Sequence, residues 1–350
     1  MFIAVRDLRF ARGRFALLST VIALLTLLVV LLTGLTAGLG AASVSAVAAL
    51  PVDHISFQRP TDGQQVSFAT SSLSPEAVAT VAAQPGVTTA WPLGASTTRL
   101  QADGGATTVT LLGGDPALYP ALRQGRAPAG AEVALTADLA ETQSVSVGDT
   151  VTVGGQPVRV AAVVATTSLN HLPVVYTPIS TWHGLARTDS ITAVASTGGD
   201  AADAAGVTTV ARDKAFTAVG GYASEQGSLN LMRGLLLVVS ALVVGAFFTV
   251  WTMQRGTDLA VVRALGGSRS YLLRDALAQA GIVLLVGAAV GAGAAAGLGA
   301  VAARVVPFVL NATTVAVPLA AMLAVGALGA AFSVRRVSTV DPLTALGAAR

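Results

Sequence analysis

Four apolar runs and one large polar insert constrain this chain more than any other feature. The runs lie near residues 15–39, 229–253, 276–303 and 315–332. Each is long enough, or nearly so, to cross a hydrocarbon core ~30 Å thick. About 190 residues between the first two runs have the composition of a folded soluble domain. Hydrophobic residues make up 53% of the chain and charged residues 11%, too few charges for an ordinary soluble surface. The fold class expected is a polytopic α-helical membrane protein with four transmembrane helices. A large extracytoplasmic mixed α/β domain lies between the first and second helices.

The charges are segregated. Arg6, Arg9, Arg12 and Arg14 precede the first run, and Arg255, Arg263, Arg269 and Arg274 lie between the second and third. Arg335, Arg336 and Arg350 follow the fourth. The insert from 41 to 228 carries eight basic and fourteen acidic side chains, a net of −6. Lys/Arg bias beside the spans sets orientation. It assigns residues 1–14, 254–275 and 334–350 to the cytoplasm of a plasma-membrane protein. The 41–228 domain and a short 304–314 loop are then external, and the spans are 15–40, 229–253, 276–303 and 315–333. The high isoelectric point is thus a topogenic signal, and no nucleic-acid partner is expected. A cleaved signal peptide ending in the Ala-rich 41–49 stretch is the alternative for the first run. Its ~25 apolar residues exceed the usual signal core, which favours an anchor. With no cysteine, the external domain has no disulfide framework and must stand on its own core.

Within the insert, β-branched or alternating stretches at 52–58, 107–112, 150–153, 158–164 and 191–195 predict strands. Gly, Pro and Asp turn signals at 102–105 and 154–157 separate them. Ser74-Pro75-Glu76 predicts a helix start by side-chain capping, with Pro85-Gly86 ending the helix. A second helix is expected over 136–143. Residues 198–228 read as a segment returning to the membrane. The spans hold no Asp, Glu, Lys or His at their centres, which argues against a proton relay. Gly287, Gly291, Gly293, Gly297 and Gly299 in the third run favour close intrachain packing. For Gly34 and Gly38 in the first, intrachain packing and a dimer seam stand equal.

Catalytic signatures are absent. The one lysine, Lys214, follows no Gly-rich turn, so P-loop chemistry is excluded. No Gly-x-Ser-x-Gly or His-Glu-x-x-His sequence occurs, and His54, His171 and His183 are scattered. No catalytic residue, intrinsic metal or intrinsic cofactor is expected. The cytoplasmic 254–269 segment places Leu259, Val262 and Leu265 on one helical stripe closed by Gly266. Arg255, Arg263 and Arg269 flank it. The stripe suits a facing protein partner, and equally an interfacial helix lying on anionic membrane lipid.

The run from Val262 to Ser268 resembles the Leu-Arg-Ala-Leu-Gly-Ala-Ser segment of FtsX/MacB-type ABC permeases. Arg335-Arg336 followed by Pro342-Leu343-Thr344-Ala345-Leu346 is similar to that family's tail. Leu112-Gly113-Gly114-Asp115-Pro116, Gly125-Arg126 and Val147-Gly148-Asp149-Thr150-Val151 resemble its external-domain signposts. Gln279 departs from the pattern, where the family often has an acid. The resemblance implies a permease homodimer with two separate ATPase subunits that bind Mg-ATP and push on Leu259, Val262, Arg263, Leu265 and Arg269. Residues 6–17 and 32–39 are similar to permeases of haem-exporting ABC systems. Haem or another lipophilic compound taken from the bilayer is then the cargo. Candidate haem ligands near the outer span ends are Tyr222, His54 and Met232, with Arg233 for a propionate. Each also has a plainer role: anchor for Tyr222, solvated loop residue for His54, packing for Met232. The alternatives are export of peptides, antibiotics or lipoprotein-like cargo, and an FtsX-like regulator that activates a cell-wall hydrolase without transport.

Overall fold

The computed structural model describes residues 12–61, 63–199, 202–204, 206–254 and 268–337. Four of its helices are long and apolar enough to cross a membrane: α1 (Arg12–Ala48), α5 (Tyr222–Gln254), α6 (Arg269–Ala302) and α7 (Ala312–Val337). A mixed α/β region lies between α1 and α5, as the apolar pattern predicts. The chain divides into two compact units, Leu39–Gly227 and a helical unit of Met1–Gly38 with Ser228–Arg350.

The 39–227 unit is built on a sheet of eleven strands: β1 (His54–Gln58), β2 (Val87–Ala102), β3 (Gly105–Gly114), β4 (Leu122–Gly125), β5 (Glu132–Thr136), β6 (Thr150–Val153), β7 (Gln156–Val164), β8 (Ser168–Leu169), β9 (Leu172–Pro178), β10 (Ala193–Gly198) and β11 (Val207–Ala211). The main path runs β11-β1-β10-β2-β3-β9-β5-β7-β4. Pairs β3–β9 and β5–β7 are parallel, and the other pairings are antiparallel. Three short helices, α2 (Ala77–Ala82), α3 (Ala137–Thr142) and α4 (Ile179–Ala186), pack on it. Side chains alternate between faces, and both faces are covered. Val174 and Tyr176 enter one core with Ile55, Phe57 and Leu93. Val175 enters the other, with Leu111, Leu135 and Trp182. Val44, Val47 and Leu50, at and just beyond the end of α1, belong to the first core. Within the 41–49 stretch, Ser43, Val44, Ala46 and Val47 are buried.

The five expected strands correspond to β1, β3, β6, β7 and β10, and the helix expected over 136–143 to α3. The sequence pattern misses β2, the longest strand, because Trp91-Pro92-Leu93-Gly94 breaks its alternation. Pro92 is accommodated because only β10 pairs with β2 there, while pairing with β3 starts at Gly94. The 198–228 segment is not merely a return path. It contains β11, paired to β1 over five residues, and a 3-10 turn at Lys214–Ala218. Ser74 does not cap α2: its hydroxyl bonds the Glu76 carboxylate and lowers that group's pKa.

The external-domain signposts are turn chemistry. Gly94 and Gly113 face each other across β2 and β3, and the indole of Trp182 fills the space where their Cβ atoms would lie. The indole N–H donates to Ser96 Oγ at 3.1 Å. Gly125 has φ +79° and sits against the Ala161 carbonyl. Arg126 then forks onto both Glu132 oxygens at 2.7 Å. Asp149 accepts from the Ser146 N–H at 2.8 Å, next to Gly148 at φ +104°.

In the helical unit, Phe15, Leu18 and Ile22 of α1 pack with Val244 and Phe248 of α5 and with Val283, Leu284 and Ala288 of α6. Leu319 and Leu323 of α7 join them. Gly287 and Gly291 let α6 approach α1 at Ser19, Ile22 and Ala23, as expected for intrachain packing. Thr33 and Thr36 return their hydroxyls to the Val29 and Leu32 carbonyls at 2.8 and 2.7 Å, satisfying them within the helix.

Candidate functional site

Three sequence-distant side chains meet in the 39–227 unit. The turn of the β8–β9 hairpin is Asn170-His171, with φ +52° and +61°. Two successive positive φ values mark the tight hairpin turn whose twist matches the strands. The turn's N–H groups are thereby presented outward. Asn170 donates to the Ser43 carbonyl at 2.8 Å, and His171 to the Ala42 carbonyl at 3.0 Å. Ser45 Oγ accepts from the Ser168 N–H at 2.8 Å. The hairpin is thus fastened to the last turns of α1 by backbone and side chain together.

His171 Nε2 lies 2.9 Å from Ser43 Oγ and 3.1 Å from Glu225 Oε2, and Ser43 Oγ lies 3.4 Å from the same carboxylate oxygen. With the proton on Nε2, the imidazole donates to the carboxylate and Ser43 donates alongside it. Glu225 sits in the first turn of α5, where the helix dipole favours an acid. One step on, Gly40 leaves room for the Gln226 amide. The arrangement ties the end of α1, the start of α5 and the β8–β9 hairpin through one charged group. Ser43 and Glu225 share one ring nitrogen of His171, whereas a catalytic triad holds the acid on the opposite nitrogen. Among the described residues, no group of three His, Cys, Asp or Glu could hold a metal ion.

The residues singled out from the sequence are dispersed. Tyr222 opens α5 three residues before Glu225, half-buried, its ring edge-on to Phe216 at 6.2 Å. His54 is not a loop residue: it starts β1, opposite Ser196 and Ala211. Both belong to the 39–227 unit, whereas Met232 and Arg233 belong to the helical unit. Met232 is 52% exposed, and Arg233 donates to Asn230 Oδ1 at 2.9 Å. Leu259, Val262, Arg263 and Leu265 lie outside the described residues, and Arg269 is the first residue of α6. Gly34 faces the Phe308 ring and Gly38 the Pro307 carbonyl, so this chain's own 303–311 loop fills both notches.

In the sequence His171 is one of three scattered histidines, and no motif distinguishes Ser43 or Glu225. The available signal was Leu169-Asn170-His171-Leu172, a turn-forming pair between apolar residues. Nothing local marks what such a turn will touch.

A family model for the MacB-like periplasmic core domain matches residues 15–211, and one for the FtsX-like permease C-terminal region matches 230–342. A Staphylococcus haemolyticus protein named "Putative hemin transport system permease protein HrtB" is 24% identical over 99% of both chains. Its Staphylococcus epidermidis namesake is 25% identical, over 41% of this chain and 41% of its own length. An uncharacterized ABC transporter permease of Mycobacterium tuberculosis is 28% identical over 99% of both chains. The periplasmic region of MacB from Actinobacillus actinomycetemcomitans aligns with 48% of this chain and 92% of its own, at 15% identity and TM-score 0.36.

Proposed function

The chain belongs to the MacB-like periplasmic core domain family and is an ABC transporter permease of the FtsX/MacB type; from that premise we propose that it exports haem, or a similarly flat lipophilic compound, by mechanotransmission. The observation that carries this reading is the two family regions in tandem, 15–211 then 230–342. A permease of this kind works with an ATPase. Two such subunits, each with Mg-ATP, would press on the 255–269 segment of a permease homodimer in the plasma membrane, both termini cytoplasmic. The Ser43–His171–Glu225 tie supports a reading in which α1 and α5 move together, because it gives both helices one attachment to the hairpin.

Haem is the cargo proposed because the staphylococcal relatives carry hemin transport in their names. The spans offer apolar surface and no central charge, which suits cargo drawn from the bilayer. Burying an apolar porphyrin face is favourable by ~25 cal/mol per Å². Tyr222 would supply an axial phenolate ligand to the iron. His54 and Met232 are the other ligands to test, and Arg233 is the propionate partner. In a haem titration of the purified full-length permease, a stoichiometric Soret shift is expected. Absence of that shift removes haem and leaves the peptide, antibiotic and regulatory readings. A shift whose spectrum survives Tyr222→Phe unchanged keeps haem and removes this ligand.

A further inference from the structure

The turn between α6 and α7 reads Arg304-Val305-Val306-Pro307-Phe308-Val309-Leu310, with one charge in seven residues. Its side chains divide into two sets. Phe308 points inward, and its ring occupies the space a Cβ would need at Gly34 of α1 and at Gly299 of α6. The Pro307 carbonyl abuts Gly38, and the Val309 N–H donates to the Gly34 carbonyl at 3.1 Å. The turn is therefore fixed against α1 at one level. Outward, Val305 is 85% exposed, with Val306 and Leu310 also open.

The level can be placed. Gly34 lies 19 residues beyond Phe15, where the first candidate span begins, or ~29 Å along the helix at 1.5 Å per residue. Gly38 lies ~35 Å along. Counted from Phe15, a hydrocarbon core ~30 Å thick ends near Gly34, where the turn meets α1. Leu298 and Val301 of α6 and Val317 of α7 are exposed apolar residues on either side of the turn. These exposed side chains extend the outward aliphatic set of the turn onto both helices. Arg304 stands exposed where that surface ends. No acid, amide or hydroxyl side chain occurs from 304 to 310 that would specify a protein partner.

We propose that residues 304–310 form an interfacial anchor. Val305, Val306 and Leu310 enter the acyl layer of the bilayer leaflet at that end of α1. Arg304 pairs with phospholipid phosphate. Phe308, seated among the glycines, holds the turn at this depth. The occupant of the surface is phospholipid. The anchor rests on the four-span reading and is independent of the cargo.

The chain's lack of cysteine makes the test direct. Full-length permease bearing Val305→Cys is labelled with an environment-sensitive fluorophore and reconstituted in phosphatidylcholine–phosphatidylglycerol vesicles. Thr61→Cys serves as the aqueous control and Val290→Cys, exposed midway along α6, as the bilayer control. The label at 305 is expected to emit blue-shifted relative to 61. It should be quenched by lipid with a nitroxide at carbon 5, and iodide should quench it several-fold less than it quenches 61. Iodide quenching equal to that at 61 overturns the anchor. Shielding from both quenchers also overturns it, because a protein then covers the surface. If the label at 290 escapes lipid quenchers, the four-span reading itself falls.

Discussion

In the 39–227 unit, Ile55, Phe57, Leu93 and Leu135 have no exposed surface, whereas in the helical unit Leu242, Met253 and Leu328 are 68–71% exposed. The difference reflects two solvents. In water, burying large side chains drives folding, and the sheet covers both faces. In lipid that drive vanishes between helices, because acyl chains are as apolar as leucine. Beside the side-chain core around Ile22, Phe248 and Leu284, close contacts are made where side chains are missing: Gly287 and Gly291 on α1, Gly34, Gly38 and Gly299 on the Pro307–Phe308 turn, and Gly326 on Leu284. Glycine works in both units, but differently. Gly94 and Gly113 make room for one large indole, whereas the span glycines also let backbone approach backbone.

The largest effect is expected where the sheet unit depends on a single side chain. Trp182→Ala removes the indole over the Gly94–Gly113 seat, and cavity formation should cost ~3–5 kcal/mol. Urea denaturation of the purified permease, followed by far-ultraviolet circular dichroism, measures it. A loss below ~1 kcal/mol would mean that the seat collapses and that this unit packs more loosely than its burial indicates.

Next is the helical unit. Gly38→Leu drives a side chain into the Pro307 carbonyl, and overpacking of this kind costs ~1–3 kcal/mol or more. Gly297→Leu points into open space and should leave thermal stability in detergent unchanged. If Gly297→Leu is as damaging as Gly38→Leu, a protein surface covers that face of α6 and the contrast between buried and lipid-facing glycine fails.

The smallest effect concerns charge at the domain surface. Hydrogen bonds from Arg126, then from the Ala129 N–H, hold the Glu132 carboxyl below its usual range. A depressed folded-state pKa contributes stability above the unfolded value, ~4.3, and loses it as pH falls through the lower folded value. The melting temperature of Glu132→Gln should therefore lie slightly below that of the parent at pH 7. The gap should persist to about pH 5 and close in stronger acid. A gap that is independent of pH would assign the effect to packing of the 126–132 turn.

Much of this was legible because it is periodic. Long apolar runs gave the helices, and alternation gave β3, β6 and β7. Gly154-Gly155 announced the β6–β7 hairpin, and both residues do have positive φ. Where local chemistry conflicts with the tertiary answer, the sequence misleads. Pro92 and Gly94 conceal β2, because the sheet tolerates proline where one partner is absent and needs glycine under Trp182. The 52–58 pattern already placed His54 within a strand, and its pairing with Ser196 and Ala211 agrees with that over the loop role.

By itself, the sequence determined which segments prefer lipid and which prefer water, because that preference is written in composition and period. It also supplied small residues where helices could touch. What they touch was decided by the tertiary structure. Gly34 and Gly38 receive the Pro307–Phe308 turn, some 270 residues away in the chain. Ser43 meets His171 and Glu225 across separations of 128 and 182 residues. A period reports the solvent of a face, and only chain closure through the intervening sheet supplies the partner.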